Sequence, residues 1–76
     1  MNKQSVLAKA FLEKFTDPNN PTEQVRNLSV WVCKEYPETS ANVDWSGSLM
    51  IVSYEVARWF SSRDLDKDVL QKLETI

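Results

Sequence analysis

Apolar residues in this chain return at helical spacing, in blocks broken by proline, and no other feature constrains the fold as much. Leu7, Ala8, Phe11, Leu12 and Phe15 fall at i, i+1, i+4, i+5 and i+8, one face about 140° wide at about 100° per residue. Lys9, Glu13 and Lys14 lie off that face, with Val6 and Ala10 forming a weaker second stripe. The spacing predicts an amphipathic helix over Lys3–Phe15. The run Thr16, Asp17, Pro18, Asn19, Asn20, Pro21 stops it, because a residue preceding proline avoids the α region.

A second helix is predicted to start there, with Asn20 as N-cap, Pro21 at the first helical position and Glu23 closing a capping box. Val25, Leu28, Ser29, Val32 and Tyr36 form its stripe, flanked by Trp31, Val30 and Cys33, which suggests a central helix with several neighbours. Pro37 ends it, and residues 38–43 read as a connector without periodicity. A third helix is predicted from Asp44 or Ser46 to about Ser61, carried by Trp45, Leu49, Val52, Val56 and Phe60 with Ala57 and Trp59 beside them. Residues 49–56 are rich in strand formers. The stripe nevertheless continues to Phe60, and the single glycine, Gly47, is a poor resource for a hairpin turn. The fourth helix is expected from Ser62 or Asp64, with Leu65, Val69, Leu73 and Ile76 on its face, Leu70 beside it, and Asp64, Asp66 and Asp68 near the positive end of its dipole. The expected fold is all-α, a single domain over 1–76 made of three or four short helices packed on Trp31, Trp45 and Trp59.

Composition narrows the chemistry. The 76 residues contain no histidine and one cysteine, so imidazole bases, disulfides within the chain and thiolate metal clusters are excluded. Cys33 lacks a histidine to activate it, and Lys34 is rotated about 100° away on a helix; packing is its expected role. Asp64, Asp66 and Asp68 alternate like the start of a calcium loop, but the positions needing Gly and a closing Glu hold Val69 and Thr75. Glu23, Glu35, Glu38, Asp44 and Glu55 show no spacing that implies convergence on a cleft. The expectation is therefore no catalytic site, no metal and no cofactor.

Charge disfavours nucleic acid. Residues 1–36 carry net +1 and residues 37–76 net −3, leaving no basic face to neutralise phosphates. A small helix-turn-helix DNA-binding regulator is the alternative reading, but the third helix offers Arg58 against Glu55 and little else of the kind. Lys9 and the Glu13–Lys14 pair interrupt any apolar run near the start, and no uncharged stretch reaches the roughly 20 residues of a spanning helix. Lys3, Lys9 and Lys14 beside Phe11, Leu12 and Phe15 suit a core helix better than a membrane-surface one. With one unpaired cysteine, a cytoplasmic setting is expected.

One group remains after the stripes are assigned. Met50, Ile51, Tyr54 and Arg58 fall at roughly 100°, 200°, 140° and 180° from Leu49, opposite the third helix's core stripe. Met, Tyr and Arg are enriched at protein interfaces. Either the fourth helix covers this group or it is an exposed contact surface. The expected function is a small non-catalytic protein acting through contact with another protein or a second copy of itself, with these four residues as the interface.

Overall fold

The computed structural model describes residues 2–76 and folds the expected stripes into α1 (Lys3–Phe15), α2 (Gln24–Glu35), α3 (Leu49–Ser62) and α4 (Asp66–Leu73). Two 3-10 segments, Pro21–Glu23 and Pro37–Ala41, punctuate the chain. No strand occurs among the described residues, and the β-rich stretch 49–56 is helix. The protein is all-α. No helix among the described residues is long and apolar enough to cross a membrane.

The boundaries follow from capping chemistry. Asn2 caps α1, its side chain accepting from the Ser5 N–H at 2.8 Å, and Thr16 leaves the helix in extended conformation. The capping box expected at Asn20 does not form. Asn20 is not in the extended conformation of an N-cap (φ −138°, ψ 63°), and its side chain makes no cap bond. Its carbonyl instead accepts from the Glu23 N–H at 3.0 Å, so a 3-10 turn leads into α2. Glu23 pairs with Arg26 rather than folding back, and Asp17 organises the preceding turn by accepting from the N–H groups of Asn19 and Asn20.

α3 begins later than the spacing predicts. Asp44 accepts from both the backbone and the hydroxyl of Ser46, and Gly47 sits at φ +109°, a conformation no helix includes. Ser48 is the cap, its hydroxyl accepting from the Ile51 N–H. Trp45 therefore packs on the core from a loop.

α4 also starts later, at Asp66. Its predecessor closes with a Schellman motif: the Leu65 N–H bonds to the Phe60 carbonyl and the Asp64 N–H to the Ser61 carbonyl. Asp64 occupies the left-handed position at φ +56°, which glycine usually fills. Asp66 and Asp68 lie in the first turn of α4 as expected; Asp64 precedes it and pairs with Lys3 at 2.5 Å. Ile76 lies beyond α4 and is exposed, not part of its core face.

The core also departs from expectation. α1 and α3 each pack against the other three helices, with their mutual contact the most extensive, so α2 is not the central helix. Only Leu28 and Val32 of α2 are fully buried, and Val30 is exposed. Phe11 and Phe60, both fully buried, form the aromatic centre at 6.3 Å between rings. Tyr36 lies 4.8 Å from Phe60, and Trp31 bridges Phe11, Phe15 and Tyr36. Trp31, Trp45 and Trp59 are partly buried around this centre. An indole is large and carries an N–H that needs a partner, so a domain this small keeps it at the margin.

Candidate functional site

On α3, Leu49, Val52, Val56, Ala57 and Phe60 turn inward and are buried. The same helical period sends Met50, Ile51 and Tyr54 outward, exposed by 61%, 63% and 37%. The fourth helix does not cover them. They sit with Glu55, Arg58 and Gln4 around a shallow groove of about 510 Å³.

Local bonds hold this surface in place. The Ser48 cap secures the first turn, so the backbone at Met50 and Ile51 does not fray. Gln4 donates from Nε2 to the Tyr54 carbonyl at 3.1 Å, tying the start of α1 to the middle of α3. Arg58 donates from one guanidinium nitrogen to both Glu55 oxygens, at 3.1 and 3.2 Å. The face thus has an apolar half and a half carrying one acid and one base, a turn apart. All four residues singled out in the sequence come together. Gln4 was not legible there, because its place depends on how α1 crosses α3.

The remaining candidates disperse. Asp64 holds Lys3, Asp66 is buried in the first turn of α4, and Asp68 accepts from the Tyr36 hydroxyl at 2.5 Å. Among the described residues, no three potential ligands gather as a metal site would require. Glu23 is with Arg26, Glu55 with Arg58 and Glu35 with Lys72. The Ser46 hydroxyl and N–H hold the Asp44 carboxyl below its ordinary range. Cys33 is half-buried.

Tyr36 is the most perturbed group. Burial first, then the hydrogen bond to Asp68 and the charges of Asp68 and Glu35, push its phenol well above its ordinary value. Lys72 lies over the Tyr36 ring at 4.3 Å and within 4 Å of both Glu35 and Asp68. This network latches the end of α2 to α4.

Comparison with known proteins finds no matching family, no matching curated protein and no matching solved structure.

Proposed function

We propose that this protein is a small non-catalytic binding domain that acts through protein–protein contact at the outer face of α3. The carrying observation is the contiguous exposure of Met50, Ile51 and Tyr54 on a well-capped helix; side chains of this kind anchor interfaces. The charges beside them favour a second copy of the chain as the occupant. An acid and a base one turn apart meet their own inverse when the helix packs antiparallel on itself about a two-fold axis. Each Arg58 then faces the other copy's Glu55, and the apolar halves cover one another. Four side chains supply only part of the roughly 800 Å² per partner that stable complexes bury, so the association is weak and reversible. The lone thiol of Cys33 fits a reducing cytoplasm.

The DNA-binding alternative has less support. The whole stretch 36–48 separates α2 from α3, whereas the short turn 63–65 leads into α4, whose first turn holds a buried Asp66 and an exposed Asp68.

Sedimentation equilibrium across concentration tests the proposal. The wild-type chain is expected to gain mass reversibly, and Met50→Asp or Tyr54→Asp to remain folded and monomeric. Leu49→Asp or Val56→Asp should unfold instead, since an unpaired buried carboxylate costs several kcal/mol. Glu55→Arg and Arg58→Glu should each be monomeric alone and associate when mixed. A wild-type chain that stays monomeric up to about 1 mM, where even an association of only about −4 kcal/mol is substantially populated, overturns the second-copy reading. Tight, steeply salt-dependent binding of duplex DNA favours the regulator.

A further inference from the structure

A second cleft, of about 320 Å³, opens between the 3-10 segment that follows α2 and the C-terminal end of α3. Its size is at the small end of ligand sites, which run from about 300 to 1,000 Å³. Tyr36, Trp59 and Leu65 supply apolar wall; Glu38, Thr39 and Arg63 supply polar groups.

The Arg63 guanidinium carbon lies over the Trp59 indole, 3.1 Å from the ring centroid. Its Nη1 donates to the Trp59 carbonyl and the Ser62 hydroxyl at 3.3 and 3.1 Å. Stacking and these two bonds orient the plane while leaving the Nε and Nη2 edge unengaged, and that edge is the one that takes a carboxylate. Glu38 also lines the cleft; its backbone carbonyl accepts from the Asn42 amide, and its carboxylate is in no ion pair with a described residue. Lys72 already engages its neighbour Glu35. One cleft is therefore lined by opposite charges that pair neither with each other nor with any other described residue. Thr39, 1% exposed, also lines the cleft, its N–H bonded to the Tyr36 carbonyl.

We propose that this cleft binds a free α-amino acid with an apolar side chain. Its carboxylate docks on the free edge of Arg63, its ammonium meets Glu38, and its side chain packs against Trp59, Tyr36 and Leu65. An anion alone leaves Glu38 unpaired, a cation alone leaves Arg63 unpaired, and an uncharged apolar ligand leaves both.

Titration of the isotope-labelled chain with L-phenylalanine, followed by amide and indole resonances, tests this. A ligand this small in an open cleft binds in the millimolar range. Saturable shifts are expected at Thr39, Trp59 and Leu65. Phenethylamine and 3-phenylpropanoate each lack one charge and should bind at least about tenfold more weakly, the loss of one charge-assisted contact. Glu38→Gln and Arg63→Gln should weaken L-phenylalanine to a similar degree with an otherwise unchanged spectrum. Absence of saturable shifts overturns the proposal, as does either single-charge analogue binding as well as the amino acid. Because the analogues are compared on the wild-type chain, the result stands even where a variant folds poorly.

Discussion

Replacing Ser53 by alanine should stabilise this protein. Ser53 is fully buried on α3, and its hydroxyl has no hydrogen-bond partner. Other hydroxyls on these helices behave differently: Ser29, Ser61 and Ser62 each donate to a carbonyl three or four residues earlier. An unsatisfied buried hydroxyl costs about 1–3 kcal/mol, and alanine adds up to about 0.5 kcal/mol of helix propensity. Losing one oxygen's packing contacts takes back a few tenths of a kcal/mol. The net gain is about 1–3 kcal/mol, and at about 4–8 °C per kcal/mol for a domain of this size the melting temperature rises by roughly 4–24 °C.

Thermal and urea unfolding of the wild-type chain and Ser53→Ala measure this, with an unchanged urea slope showing that the unfolded state is not the cause. Ser61→Ala is the internal comparison. It gains the same propensity but loses a bond of 2.6 Å to the Ala57 carbonyl, so it should be close to neutral. Unchanged or reduced stability in Ser53→Ala refutes the reasoning. The hydroxyl would then have found an acceptor, either the Leu49 carbonyl one turn back or a buried water.

Two further tests address the helix joints and their charges. Asp64→Val should lower the melting temperature by several degrees, because a β-branched residue tolerates the left-handed position of a Schellman motif poorly, while Asp64→Gly should stay close to wild type; similar behaviour of the two would mean that this conformation is not required. Stability measured against pH should fall at both extremes. Lys3, raised by its hydrogen bond to Asp64, and Tyr36, raised chiefly by burial, contribute stability that is fully present below their unfolded values of 10.5 and 10.0 and lost as pH rises through the folded ones. Asp64, lowered by Lys3, contributes stability above its unfolded 3.8 that is lost as pH falls through the folded value. Tyr36→Phe should flatten the alkaline limb, and an unaltered limb would show that the phenol is not what titrates there.

The helical period located what lies inside each helix, and failed where a different interaction sets the boundary. Leu7, Phe11, Leu28, Val56, Val69 and Leu73 were all legible as core, because burying one face of a 3.6-residue repeat leaves an unambiguous trace. The beginnings of α3 and α4 were less legible. Acidic residues and serines crowd both approaches, so several could have served as caps. The choice was made by backbone conformations at Gly47 and Asp64, which an alternation of polar and apolar residues does not record. Val43 and Thr39 were missed for a related reason: the 3-10 segment that buries Thr39 has a three-residue turn too short to show a period.

The two candidate sites divide along the same line. Met50, Ile51, Tyr54 and Arg58 were readable as one surface because they share a single helix, where spacing alone fixes direction. The cleft between Glu38 and Arg63 was invisible, since its walls are 25 positions apart in sequence and meet only where the end of α2 packs against α3 and α4. The latch of α2 onto α4 puts Tyr36 between Phe60 on one side and Asp68 and Lys72 on the other. Its phenol hydrogen bond to a carboxylate is of the strong, charge-assisted kind, so the segment leaving α2 is anchored where Pro37 turns it toward α3. A surface borne by one helix survives small shifts between elements, whereas a cleft built from two does not. Loosening the Tyr36 latch should therefore impair the cleft while leaving the outer face of α3 intact.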